Sequence, residues 1–212
     1  MRRQPPPRLR LADKTATVAG MGRERPLIVG ISGASGAIYG VRLLEALDAA
    51  KIPAHLIVSK SAAQTLKEEA DLSVDQVRAL AETSYQNTDL GAAISSGSFK
   101  TRGMVIAPCS IRTLSDIAYG TTDSLLSRAA DVTLKERRRL VLIVREAPLH
   151  AGHLRSMLAA TENGAIVLPP VPAFYHRPKT VDDIVNQTVG RCLDLFDIDV
   201  GTVKRWRAED GD

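Results

Sequence analysis

The chain has 212 residues, 44% hydrophobic and 4% aromatic, with two cysteines and a formal net charge of +4. That length and apolar content suit a single domain whose core is Val, Ile, Leu and Ala. The positive charge is local, with seven Lys/Arg against two acids in residues 1–25 and 21 against 22 in the rest, which removes the argument for nucleic-acid binding.

Residues 1–25 form a Pro/Arg-rich leader without apolar periodicity, expected to be disordered. It lacks the apolar stretch of a secretory signal, and Pro5-Pro6-Pro7 breaks the amphipathic helix of a mitochondrial one. Met21, just ahead of the first apolar run, is the expected true start. A single domain is expected over 26–206, with a flexible tail at 207–212. No run reaches the roughly 18 apolar residues of a membrane span. Cys109 and Cys192 are far apart with no C-x-x-C pairing, which fits two free thiols in a reducing cytoplasm.

From residue 27 onward, short apolar runs alternate with helical patterns. The runs lie at 27–31, 55–58, 103–107, 140–144 and 165–168, continuous and β-branched as in strands buried on both faces. They predict a three-layer, doubly wound, parallel α/β sheet of Rossmann-like or flavodoxin-like type, with ligands at the carboxyl ends of the strands. A helix is predicted over 35–50, with Ile38, Val41, Leu44, Leu47 and Asp48 on its inner face, and a second from about Ser61. A third over 123–138 turns Leu125, Leu126, Ala129, Val132 and Leu134 inward. A last helix carries Val181, Ile184, Val185, Thr188, Val189, Cys192 and Leu195.

The first strand delivers Gly30-Ile31-Ser32-Gly33-Ala34-Ser35-Gly36-Ala37 to the first helix. The N–H groups that open a helix lack internal partners and carry the positive end of its dipole, so an anion is expected there. The spacing is G-x-x-G-x-x-G, and Ser59 stands where a dinucleotide site wants an acid for the ribose. One phosphate is indicated, not NAD.

After the third run comes Pro108-Cys109-Ser110-Ile111-Arg112-Thr113. Ser110 and Thr113 are spaced as a helix cap and equally as donors to a ring or phosphate, and Pro108 is a candidate cis residue. After the fourth run, Arg145-Glu146-Ala147-Pro148 puts an ion pair of residue types at the expected crevice, where partial desolvation would raise the Glu146 carboxyl toward neutrality. Glu69 ends a helix. Arg128, Lys135, Arg145 and Arg191 read as a cluster able to neutralise a phosphate, and the stiff loop 169–176 offers the Tyr175 phenol. No set of His, Cys and acids completes a metal site: His150 and His153 read as a helix turn, and Asp182-Asp183 as a helix start.

These residues, together with Ile94-Ser95-Ser96-Gly97-Ser98-Phe99, Arg128-Ala129-Ala130-Asp131-Val132, Leu134-Lys135-Glu136-Arg137-Arg138 and Pro172-Ala173-Phe174-Tyr175-His176-Arg177-Pro178, resemble the UbiX flavin prenyltransferases in order and spacing from about residue 26 to Trp206. The resemblance implies transfer of a dimethylallyl group from dimethylallyl monophosphate to N5 and C6 of reduced FMN. The product, prenylated FMN, serves UbiD-type decarboxylases, and dodecamers with sites where subunits meet are implied too. Carried over by position, Gly33, Ala34, Ser35, Ser59, Ser110, Ile111, Arg112, Thr113 and Arg145 correspond to FMN contacts. Tyr175 and Arg191 correspond to prenyl-phosphate contacts, Arg128 and Lys135 to further basic positions, and Glu69 and Glu146 to acids, Glu146 being expected to handle the proton. Arg112 stands where the family often has Lys or Gly, so its backbone is the part expected to matter. Two other readings are an FMN-dependent cysteine-type decarboxylase, whose Pro-Ala-Met-Asn stretch is replaced here by Pro108-Cys109-Ser110-Ile111, and a non-catalytic FMN-binding subunit of a hydroxyarylic acid decarboxylase.

Overall fold

A computed structural model describes residues 24–206. The expectations for the leader up to residue 23, for a start at Met21 and for the tail at 207–212 lie outside the described residues. Strands β1 (Leu27–Ile31), β2 (Ala54–Val58), β3 (Thr83–Gln86), β4 (Gly103–Cys109), β5 (Arg139–Val144) and β6 (Ile166–Val167) form one parallel sheet in the order β3-β2-β1-β4-β5-β6. The order reverses between β1 and β4, so the crevice for a ligand in a doubly wound sheet opens above the carboxyl ends of these two strands. The Ala107-Pro108 bond is cis, as the sequence suggested, and so is Ala147-Pro148.

The period-2 geometry of a strand sends alternate residues to opposite faces. Leu27, Val29, Ile31, Leu56, Val105, Val141 and Ile143 join one apolar cluster with α1 (Ala37–Ala49), α2 (Lys60–Ala70), α3 (Val74–Arg78) and α7 (Val181–Asp194). Ile28, Ile57, Met104, Ile106, Leu140, Leu142 and Val144 join the other with α4 (Ile111–Tyr119), α5 (Leu125–Lys135) and α6 (Ala151–Glu162). Both faces of the sheet are therefore covered, and α5 and α7 lie on opposite sides of it.

Three expectations change. β3 is a polar edge strand, Thr-Ser-Tyr-Gln, without an apolar run to announce it. Asp48 does not face the core: its exposed carboxylate pairs with Lys51 at 3.4 Å. Val181 is 75% exposed, because it occupies the first turn of α7, ahead of the buried stripe that begins at Val185.

Candidate functional site at the carboxyl edge of the sheet

The loop after β1 is tied to its neighbours before any ligand is considered. Ser32 is buried, donating its hydroxyl to the Pro108 carbonyl at 2.8 Å and accepting the Ser110 N–H at 2.7 Å. One side chain thus joins the ends of β1 and β4 across the switch point. Beside it, the Ser59 N–H bonds to the Ile31 carbonyl at 2.9 Å and the Arg145 N–H to the Cys109 carbonyl at 3.1 Å. The Gly33 backbone lies so close to the first turn of α2 that an added Cβ would overlap Ser61. Four strand ends therefore bring Gly33, Ala34, Ser35, Ser59, Ser110 to Thr113, and Arg145 to one edge.

The helix starts differ. Ser59 caps α2 by accepting the Ala62 N–H at 3.1 Å, and Ser110 caps α4 by accepting the Thr113 N–H at 3.3 Å, as hydroxyl N-caps do. At α1 the cap is Gly36 in the left-handed region, at φ 98°, a conformation only glycine takes cheaply. There the Glu69 carboxylate, from the end of α2, accepts the Gly36 N–H at 2.7 Å and the Ala37 N–H at 3.3 Å. The anion expected at the start of α1 is thus supplied by the protein. Burial would raise the Glu69 carboxyl, but the Ser35 hydroxyl, the Gly36 and Ala37 N–H groups and the Arg145 charge hold it below the ordinary carboxylate range. Tyr39, half-buried and within the field of Arg145, is pushed up by desolvation, with Arg145 opposing. Spacing gave no sign of Ser32 or Tyr39.

The remaining predicted residues are distributed. Glu146 is exposed rather than desolvated, accepting the Ala147 N–H at 3.1 Å: it lies beyond the end of β5, where a single subunit offers it no cover. Arg112 points outward, 83% exposed, 3.9 Å from Asp116. The four basic residues do not gather in one subunit. Arg128 pairs with Asp131 at 2.8 Å and Lys135 with Glu136 at 2.7 Å on α5, against the loop of Gly97, where an added Cβ would meet both Glu136 and Lys135. Arg191 pairs with Asp194 at 2.6 Å on α7, across the sheet. Tyr175 accepts a hydrogen bond from buried Gln187 of α7 at 3.0 Å, which ties its loop to the helix that carries Arg191. His150 caps α6, accepting the Gly152 N–H at 3.0 Å, with its ring centroid 3.6 Å from that of His153 and the planes tilted by 33°.

Hydroxyls, helix N-termini and the Arg145 guanidinium make a donor set suited to a phosphate and to the oxygens of a flavin ring. A cavity of about 830 Å³ lies elsewhere, at the amino edge of the sheet among Arg102, Arg137, Arg138 and Arg139, and none of the site residues lines it.

A family model described as Flavoprotein matches residues 15–193. The chain is 63% identical over 173 residues to the flavin prenyltransferase UbiX of Escherichia coli K12, covering 81% of this chain and 92% of that one. Among solved structures it is similar to AnUbiX in complex with FMN and dimethylallyl pyrophosphate, with a TM-score of 0.86 and 48% identity over 89% of this chain and all of that one. It is also similar to a dodecameric FMN-dependent UbiX-like decarboxylase from Escherichia coli O157:H7, with a TM-score of 0.84 and 48% identity over 86% of this chain and all of that one.

Proposed function

We propose that this chain, which belongs to the UbiX flavin prenyltransferase family, transfers a dimethylallyl group from dimethylallyl monophosphate to N5 and C6 of reduced FMN, yielding prenylated FMN for a UbiD-type decarboxylase, as in ubiquinone synthesis. The observation that carries this reading is the convergence of the Ser32–Gly36 loop, Ser59, Ser110 to Thr113 and Arg145 on the β1/β4 switch point. Because Glu69 already fills the start of α1, the flavin phosphate falls to the hydroxyls and N–H groups at the starts of α2 and α4.

Reduced flavin, when bound, supplies the nucleophile, which accounts for the inert thiols: burial pushes the Cys192 thiol up to about 12 and Cys109 further still. The chain's own task is to hold the reactants, stabilise charge on the departing phosphate and move a proton. Tyr175 and Arg191, with Arg128 and Lys135, are assigned to the phosphate, where preorganised donors lower the barrier for leaving. Glu69 and Glu146 are assigned to proton transfer, Glu146 at the ring.

Because α5 and α7 lie on opposite sides of the sheet, Arg128 and Lys135 of one copy meet Tyr175 and Arg191 only if different copies contribute them. A dodecamer supplies such junctions. Tyr119, Leu154 and Leu158 on one side and Val171, Phe174 and Trp206 on the other are apolar and exposed in the single chain, as surfaces that meet other copies are. Two buried, unpaired cysteines fit a reducing cytoplasm, and no helix of the described residues is long and apolar enough to cross a membrane. The test is to pass the flavin released from a complete reaction to a UbiD-type apo-decarboxylase. Recovery of decarboxylation supports the reading; an inert acceptor with full FMN turnover contradicts it.

A further inference from the structure

We propose that Gln187 is a positioning residue for the prenyl donor: it fixes the Tyr175 hydroxyl as an acceptor on its inner side, so that the phenolic proton is left to be donated outward to the donor phosphate. The inference rests on the assignment of Tyr175 to that phosphate.

The orientation of the Gln187 amide follows from its partners. Its Oε1 accepts the Lys204 N–H at 3.0 Å, and its Nε2 donates to the Lys204 carbonyl at 3.1 Å. A backbone N–H only donates and a carbonyl only accepts, so the amide cannot be turned round. The second hydrogen on Nε2 goes to the Tyr175 oxygen at 3.0 Å. An amide NH2 cannot accept, so Tyr175 must use a lone pair here and keeps its own O–H free. Among the described residues no other hydrogen bond involves that hydroxyl, and Tyr175 is 43% exposed. A phosphate dianion offers only acceptor oxygens, so a phenol with its proton outward is matched to it, whereas a phenol donating inward is not.

The rest of the ring is held as well. Trp206 meets it edge-on, with centroids 5.6 Å apart and planes at 90°. Arg205, next to Lys204 in the chain, binds both oxygens of Asp194, at 2.9 and 3.1 Å, the same carboxylate that holds Arg191 at 2.6 Å. Gln187 and Arg191 are one turn apart on α7, on the same face. The segment 204–206 thus fastens to α7 at two points, one beneath each assigned phosphate ligand. Gln187 is 4% exposed and its amide is taken up by Lys204 and Tyr175, so its effect on the donor passes through Tyr175.

The competing role is a staple: Gln187 simply fastens Lys204, and its loss lowers stability without touching donor recognition. A double-mutant cycle separates the two. In the complete protein, donor KM, kcat, reduced-FMN affinity and melting temperature are measured for Tyr175→Phe, Gln187→Leu, Gln187→Glu and the double variant Tyr175→Phe with Gln187→Leu. Gln187→Glu keeps an acceptor for the Lys204 N–H but turns the phenol's proton inward.

The expected result is a rise in KM for dimethylallyl monophosphate of roughly tenfold or more in Tyr175→Phe. Both Gln187 variants should show a rise of several-fold, with FMN affinity unchanged, and the double variant should be no worse than Tyr175→Phe alone. Multiplicative effects, or Gln187 variants that melt earlier with wild-type donor KM, overturn the positioning role while leaving Tyr175 assigned. A wild-type donor KM in Tyr175→Phe overturns the assignment and the inference together.

Discussion

The carboxylate of Glu69 closes the start of helix α1, accepting the Gly36 N–H at 2.7 Å and the Ala37 N–H at 3.3 Å. A residue 33 positions downstream of Gly36 thus supplies the anion that a glycine-rich turn invites. The same carboxylate is next to Ser35 and in the field of Arg145, so it is both a structural cap and an acid held against the β1–α1 loop.

Glu69→Gln keeps an acceptor and removes the charge. The native carboxyl lies below the ordinary value of 4.5, so the folded state binds fewer protons than the unfolded chain in the acid range. The stability it gives is complete above the unfolded value and is lost as pH falls through the depressed native one. Thermal melts should therefore separate wild type from Glu69→Gln at neutral pH and converge in acid, with FMN affinity retained and turnover lowered roughly a hundredfold. A separation that does not shrink as pH falls through the acid range, or unchanged turnover, contradicts this role.

Ser32 is the buried joint between the two strands at the switch point. In Ser32→Ala, the Ser110 N–H and the Pro108 carbonyl each lose their bond to that hydroxyl, although Pro108 still accepts the Ser32 N–H at 3.2 Å. A cost of about 1–3 kcal/mol is expected, read by urea denaturation, together with weaker FMN binding because the β1 and β4 loops are no longer registered. Stability within 0.3 kcal/mol of wild type, roughly the scatter of such comparisons, would show that the joint contributes little.

The separation of α5 and α7 by the sheet makes a prediction about assembly. Lys135→Ala and Arg191→Ala are each expected to lose most activity while keeping the fold, since each side chain is exposed and paired only with a neighbouring carboxylate. Co-expressed in mixed oligomers, the two should recover part of the wild-type rate, because some junctions then receive Lys135 from one copy and Arg191 from another. Activity in the mixture no higher than in either variant alone would place both residues in one subunit's site.

The fold was legible because each central strand is a continuous β-branched run, and burial on both faces demands that pattern. β3 was not, because an edge strand of Thr83, Ser84, Tyr85 and Gln86 is held by its ladder to β2 rather than by apolar burial. At the site, the cap Ser110 could be read from local spacing, since it and Thr113 lie three residues apart. Glu69 at the start of α1 and Gln187 under Tyr175 could not, because each bond joins distant segments and leaves no periodic trace. The basic quartet was legible as residue types but not as a place. Charge spacing along a chain does not say on which side of a sheet a helix will lie.

The central claim is tested most directly by incubating the protein anaerobically with FMN, dithionite and dimethylallyl monophosphate, and weighing the flavin released. The expected result is a mass increased by one C5 prenyl unit, with the increase lost in Arg191→Ala at donor concentrations that saturate the wild type. Recovery of unmodified FMN from protein that binds it tightly would contradict prenyl transfer.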